Sequence, residues 1–224
     1  MSLHILPDLE QRSEEWYAQR RGIITASVVG QLITPSTLKV ANNDRSRAIV
    51  WELVAERITG WTDEHYVSDD MWRGIEDEAY AIEHYSEHYA AVDRVGFMVR
   101  DDWGFRIGYS PDGVVGDDGL IEWKSRRPKK HLQTILANTV PPENMAQIQC
   151  GLLVSGRGWC DYVSWCGGMP MWPIRVLPDP DWQEAILAAV DAFEQAADRM
   201  TREYRAATEG MPPTERIVYE EMVI

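Results

Sequence analysis

The 224-residue sequence has no apolar run approaching the ~20 residues that cross a bilayer. Its first residues, MSLHILPDLEQRSEEW, lack the basic flank and the roughly 7 to 15 residue apolar stretch of a signal peptide. Membrane insertion and secretion are therefore not expected, and a cytoplasmic location is. Cysteine is scarce: Cys150, Cys160 and Cys166 are odd in number and form no CxxC pair, which disfavours a disulfide framework or a zinc knuckle and favours reduced core thiols. Basic residues are also in short supply, 22 Lys and Arg against 36 Asp and Glu. The resulting formal charge of -14 argues against a surface that binds nucleic acid all over, because phosphate binding rests on clustered cations.

The hydrophobic share of 45% and charged share of 26% suit one globular domain over residues 1–224, with 209–224 as a tail. Residues 13–33 read as helix, turn, helix, with Trp16 on an apolar side and Gly22 as the break. Polar residues 34–44 read as a loop. Ile49, Leu53, Val54 and Ile58 recur at helical spacing up to Gly60, and a further helix is expected over 68–90. Short extended pieces follow over 92–100, 105–109 and 120–125, separated by DDWG and GDDG. A helix over 142–154 and strands over 159–165 and 171–176 come next. Asp179-Pro180 then caps a long helix carrying Trp182, Ile186, Val190, Phe193 and Ala197 on one side. Helices separating strands imply a sheet packed on helices, an α/β (α+β) fold. Within this acidic chain two basic clusters stand out, KSRRPKKH from Lys124 to His131 and the pair Arg20-Arg21.

The stretch that carries chemistry is Ser110-Pro111-Asp112-Gly113, followed after a turn by Ile121-Glu122-Trp123-Lys124. If the two predicted strands pair, Asp112 and Glu122 approach closely enough to share a cation, and the two-residue strand period puts Lys124 on the face of Glu122. Magnesium is a hard ion that prefers a few carboxylate oxygens and keeps water in its other octahedral positions. Such a site can neutralise charge on a phosphodiester during in-line attack, with Lys124 positioning or deprotonating water or stabilising the developing charge. The backbone carbonyl of Trp123, between the two side chains, is a further oxygen ligand.

These motifs resemble the PD-(D/E)XK nuclease superfamily, as Pro111-Asp112 and Glu122-Trp123-Lys124. Over roughly residues 13–165 the chain resembles the phage lambda exonuclease group, the YqaJ-like viral recombinases. Four blocks carry that likeness in order: WYAQRRGIITAS from Trp16 to Ser27, GIEDEA from Gly74 to Ala79, the SPDG to EWK stretch, and MAQIQ from Met145 to Gln149. In the second block Arg73 precedes the glycine, where a Trp-Gly pair is more typical of the group.

The resemblance implies a restriction-endonuclease-like core, a central mixed β-sheet flanked by α-helices. It makes Glu78 an additional acidic residue of the metal site, and a helical period of ~100° places Glu78 nearer the packed side, marked by Ile82, than Glu76 or Asp77. It also makes Arg20, Ser27 and Gln147 candidates for holding a terminal 5'-phosphate. An arginine fork can bind phosphate bidentately, and Ser27 lies where a helix N-terminus can point amides at an anion. Without the resemblance, Gln147 is the better candidate for satisfying a buried backbone group. The implied activity is a Mg2+-dependent 5'-to-3' exonuclease, with Mn2+ as a substitute, that acts on double-stranded DNA ends, releases 5'-mononucleotides and leaves a 3' single-stranded overhang for recombination. A homotrimer, a single-strand annealing protein as partner, and a phage or prophage gene expressed in a bacterial host are implied with it.

Two other readings compete. His84-Tyr85-Ser86-Glu87-His88 has the H-x-x-E-H form of inverted zinc peptidases, with His84 and His88 as ligands and Glu87 as base. A catalytically inactive DNA-end binding recombination accessory protein would keep the fold without turnover, and the intact Asp112, Glu122 and Lys124 set argues against it.

Overall fold

The computed structural model describes residues 2–63 and 68–216. The strands are β1 (Leu3–Leu6), β2 (Ile24–Thr25), β3 (Ile33–Thr34), β4 (Lys39–Val40), β5 (Phe97–Arg100), β6 (Ile107–Tyr109), β7 (Gly113–Val115), β8 (Gly119–Ser125), β9 (Trp159–Trp165) and β10 (Trp172–Val176). The helices are α1 (Glu14–Arg20), α2 (Ala26–Val29), α3 (Asp44–Thr59), α4 (Asp69–His88), α5 (Pro128–Ala137), α6 (Pro142–Ser155) and α7 (Pro180–Ala207). Among the described residues no helix is long and apolar enough to cross a membrane.

Local chemistry sets the helix ends. Asn43 caps α3 through a reciprocal box with Ser46, and Gly60 closes it at φ +63, a conformation that costs a glycine nothing. Ser68 caps α4 by accepting from the amide of Met71. The carboxylate of Asp179 accepts from the amides of Asp181 and Trp182 at the start of α7, with Pro180 in the first turn. The expected apolar side of α7 is buried: Trp182, Ile186, Val190, Phe193 and Ala197 all lie in the core. Each large side chain of that set contributes about 1.5–3 kcal/mol by leaving water.

The mixed α/β core is as expected, and eight of its strands divide into two four-stranded sheets, ordered β1-β5-β6-β2 and β10-β9-β8-β7, with β3 and β4 forming a separate two-stranded sheet. The division falls at Ser110–Asp112, where Pro111 has no N–H to contribute and the chain leaves one ladder before entering the other. β7 pairs antiparallel with β8, Gly113 opposite Ile121, and β8 runs parallel to β9 along its whole length. The alternation of β8 serves two cores. Leu120 joins the main cluster with Ile148 and Leu152 of α6 and Ile186 and Phe193 of α7. Ile121 and Trp123 face a second cluster built with Ala81 and Tyr85 of α4. The three cysteines are free and buried, as the spacing implied, and burial pushes the Cys150 thiol up to about 12.

Several expectations are corrected. Residues 13–33 contain α1 and α2 with the short strand β2 between them, and the polar stretch 34–44 carries all of the hairpin β3–β4 except Ile33. Only Phe97–Arg100 of 92–100 is a strand, because the preceding residues make just an isolated bridge between Asp93 and Val114. Helix α5, inside and beyond the basic run, has no sequence counterpart in the reading above. Its buried residues are His131 and Thr134, so no apolar stripe announces it. His131 is held by Ser164 Oγ at 2.8 Å from Nδ1 and by the Pro170 carbonyl at 3.0 Å from Nε2. Of the expected tail, residues 209–216 are mostly exposed and form no helix or strand, and 217–224 lie outside the described residues.

Helix α6 crosses β6 closely at Gly151, where an added Cβ would meet the Tyr109 ring at 2.7 Å. Tyr109 is 1% exposed and directly precedes the Ser110-Pro111-Asp112 turn. Gly151→Ala is expected to lower stability by about 1–3 kcal/mol, as overpacking does, read as a lower urea midpoint at unchanged slope. An unchanged midpoint would mean that the ring moves aside freely.

Candidate active site

The open edge of β8 beyond the end of β7 is where the sequence motifs converge. Asp112, one residue before β7, accepts a hydrogen bond from the amide of Trp123 through Oδ2 at 2.9 Å. Glu122 and Lys124 share the opposite face of β8 from Trp123, as the strand period requires, and Lys124 Nζ donates to Glu122 Oε1 at 2.5 Å. Glu122 is fully buried, and among the described residues its second oxygen, Oε2, has no hydrogen-bond partner. A buried carboxylate oxygen left unpaired is costly, because desolvation is compensated on one side only.

The electrostatics follow from that crowding. Burial, and next the charge of Glu122, raise the Asp112 carboxyl well above the usual carboxylate range, against the opposing pull of Lys124 and the Trp123 amide. Burial alone would lower the proton affinity of Lys124, but Glu122 and Asp112 outweigh it and the net shift is upward. Glu78 of α4 adds negative charge to Asp112 and lies in the same cleft of ≈ 430 Å³, with Pro111 and Arg12. Its neighbour Asp77 points away, accepting from Ser125 Oγ at 2.7 Å, and Glu76 is exposed. Of the three, Glu78 is the one that faces Asp112, although the packed side of α4 is marked by Ala81 and Tyr85 and not by Ile82, which is only half-buried.

A second cleft of ≈ 360 Å³ opens alongside, lined by Trp16, Arg20, Thr25, Ser27 and Arg12 among others. The Arg20 guanidinium lies 4.0 Å from the centre of the Trp16 ring and donates to Ser110 Oγ (3.1 Å), Thr25 Oγ1 (3.3 Å) and Ser27 Oγ (3.0 Å). Burial lowers it to about 10, so it stays charged at neutral pH while its donors meet hydroxyl groups instead of a carboxylate. A desolvated cation bonded to hydroxyls is suited to an anion. The geometry corrects one argument: α2 has only four residues, so Ser27 contributes its hydroxyl and not a helix N-terminus. Ser110 links the two clefts, since it accepts from both Arg20 and the Trp16 indole N–H (2.9 Å) and stands two residues before Asp112.

Gln147 is half-buried on α6, the helix packed against α2, and makes no side-chain hydrogen bond among the described residues. The role of satisfying buried backbone falls to Gln149, whose amide donates to the Leu177 carbonyl and accepts from the Asp179 N–H, both at 2.9 Å. The basic run does not form one face. Lys124 lies in the carboxylate site, Arg126 is tied to Asn144 and Tyr162, Arg127, Lys129 and Lys130 are exposed, and His131 is buried.

Thr25, Ser110 and Arg12 are site-lining residues the motif reading did not single out. Thr25 and Ser110 lay inside the quoted blocks. Nothing in the local pattern marks Arg12, which adopts φ +72, a region that costs a residue with a Cβ roughly 1–2 kcal/mol. His84, Glu87 and His88 do come together, with ligand atoms within 4.8 Å of one another on the last turns of α4.

The fold is that of the PD-(D/E)XK nucleases, with a carboxylate–lysine cluster on the edge of a mixed sheet. Residues 15–158 match the YqaJ-like viral recombinase domain, and the chain belongs to that family. It is similar to the alkaline exonuclease LHK-Exo from Laribacter hongkongensis, at 29% identity and a TM-score of 0.74 over 87% of this chain and 100% of that one. The structure of LHK-Exo in complex with dAMP matches at 30% identity and a TM-score of 0.79, covering 89% and 100%. A phage-related exonuclease from Haemophilus somnus 129PT shares the fold at 14% identity and a TM-score of 0.63, over 81% and 96%. No curated protein matches the chain. Family and structural likeness support a nuclease role, which sets aside the peptidase reading of His84, Glu87 and His88, although the three residues do cluster.

Mutual repulsion between Asp112 and Glu122 is a destabilising feature of the folded chain that a cation would relieve. Asp112→Asn keeps an acceptor for the Trp123 amide and removes that repulsion. Its melting temperature in EDTA is expected to rise above that of the wild type, and the increment on adding Mg2+ to disappear. A variant still stabilised by Mg2+ to the wild-type extent would remove Asp112 from cation binding.

Proposed function

We propose that the chain is a divalent-metal-dependent exonuclease that degrades one strand of linear double-stranded DNA in the 5'-to-3' direction. It releases 5'-mononucleotides and leaves a 3' single-stranded overhang for recombination. The observation that carries the reading is the unpaired, fully buried Oε2 of Glu122, crowded by Asp112 and flanked by Lys124. Such a set of hard oxygen donors fits a magnesium ion, with Mn2+ as a substitute. Asp112, Glu122 and Glu78 would hold it, with the carbonyl of Trp123. A strand residue's N–H and C=O leave on the same edge, so that carbonyl shares the edge on which the Trp123 amide meets Asp112. When bound, the ion supplies Lewis acidity and neutralises charge on the phosphodiester.

The chain's own groups account for the remainder. Lys124, anchored by Glu122, positions the attacking water or stabilises the charge that builds on the phosphate, and its raised proton affinity suits the ammonium role. Arg20, with Thr25, Ser27 and Ser110, offers a phosphate pocket one cleft away, and Gln147 on the adjoining helix is a further candidate contact. A 5'-phosphate seated there would place the terminal nucleotide across the carboxylate cleft, giving polarity a physical basis. The dAMP in the LHK-Exo structure is a deoxynucleoside monophosphate, the class of product this reaction yields.

The same reading takes the working assembly as a homotrimer around DNA, in the cytoplasm of a bacterial host, with a single-strand annealing protein as partner. A ring would let an acidic exterior coexist with a locally basic channel, consistent with a net charge of -14. Sedimentation at increasing concentration tests the assembly.

Digestion of duplexes labelled at either end, with and without 5'-phosphate and Mg2+, tests the central reading. Metal-dependent loss of the 5' label as mononucleotide is expected. Tight binding without release would favour an end-binding accessory protein. Lys124→Ala is expected to lower turnover roughly 100- to 10,000-fold with DNA and metal binding largely kept, and near-normal cleavage would take Lys124 out of the mechanism. Arg20→Ala should cut the preference for a 5'-phosphate over a 5'-hydroxyl by about tenfold. An unaltered preference in single-turnover assays would refute the pocket's role.

A further inference from the structure

Building on the nuclease reading, we propose that Arg12 is a DNA-binding residue that grips an internucleotide phosphate where the strand passes from the anion pocket to the carboxylate cleft. Arg12 precedes the residues matched by the family, 15–158. It lines both clefts, a position it shares with Ile75, so it stands on the wall between them. A strand that reaches from the Arg20 pocket to Asp112 passes this wall.

The position is built and held. Gln11 Nε2 donates to the Pro111 carbonyl at 3.1 Å, tying the segment to the Pro-Asp turn itself. The Gly96 N–H donates to the Pro7 carbonyl at 3.0 Å, and a Cβ on Gly96 would collide with Leu9 O at 1.9 Å, so the approach to Arg12 lies flat against the start of β5. The backbone at Arg12 has φ +72, where glycine or asparagine would be at less cost. Backbone strain of this kind clusters at functional sites, so a role is to be sought in the Arg12 side chain.

The charge around it supplies one. The carboxylate cleft is walled by Asp8, Glu10 and Glu78, whose charge repels a phosphodiester, together with Asp112, and Arg12 and Arg94 are cations lining it. The Arg12 contact to Glu78 is 3.6 Å between Nη2 and Oε2, and half of the arginine side chain is in water. A solvated pair of that length holds the guanidinium weakly. Its planar fork is therefore available for bidentate binding of phosphate oxygens, a geometry that a lysine ammonium does not reproduce.

The test uses Arg12→Gly, which removes the fork and suits the backbone conformation, so the variant should fold at least as well as the wild type. Binding of linear duplexes ending in 5'-phosphate or 5'-hydroxyl is measured in EDTA and, on a Lys124→Ala background, in Mg2+, over a range of salt. Loss of one charge-assisted contact should weaken binding about tenfold for both ends alike. The slope of log affinity against log salt should become shallower by ~0.7–0.9, the share of one phosphate contact. Arg12→Lys should restore the slope and only part of the affinity.

Unchanged affinity and slope would overturn the proposal. So would a loss confined to 5'-phosphorylated ends, which would put Arg12 in the Arg20 pocket, or an altered metal requirement with intact DNA binding, which would leave Arg12 as a partner of Glu78 alone. If the wild type released no nucleotides with any divalent ion while Arg12→Gly still lost affinity, the nuclease reading would fail and the phosphate contact would stand.

Discussion

Glu122 has no access to water, bonds Lys124 through one oxygen and leaves the other unpaired. Burying a carboxylate costs several kcal/mol after relaxation, and a single ammonium returns only part of that. The fold tolerates the cost because β8 is clamped along its length by β9 and its remaining core-facing residues are apolar. Asp112 is then pressed into the same poorly solvated space by its bond to the Trp123 amide, and its proton affinity rises. The cation affinity proposed for this edge and the charge state of Lys124 both descend from that one buried group.

Pro111 is the second constraint. By ending the β6 ladder it turns the chain outward, so that three consecutive residues serve three purposes. Ser110 accepts from Trp16 and Arg20, Pro111 receives Gln11 on its carbonyl, and Asp112 reaches the edge of β8. Two clefts with opposite electrostatic character are thereby joined over a few residues of backbone. The proposed handling of a polyanion by an acidic protein would rest on this division, with cations gathered at one cleft and carboxylates at the other, where a metal would offset them.

Much of the local structure could be read from side-chain pattern. The cap at Asp179, the apolar stripe of α7 and the two-residue alternation that puts Glu122 and Lys124 on one face are short-range properties, and the structure agrees with them. Helix α5 was not legible because its buried residues are His131 and Thr134, which bond to polar partners and leave no hydrophobic period. Gln147 and Gln149 could not be told apart from spacing, since only the neighbouring turn at Leu177–Asp179 decides which of them is consumed by backbone.

The chemical inventory, the order of the motifs and the strand face shared by Glu122 and Lys124 were determined by the sequence alone, because they depend on residue type and on the two-residue strand period. The tertiary structure decided which charges meet. It divided eight of the strands into two sheets at Pro111, set Glu78 rather than Asp77 toward Asp112, and brought Arg12 to the wall between the clefts. Those choices rest on contacts between residues tens of positions apart, whose distances come from packing that no local pattern encodes.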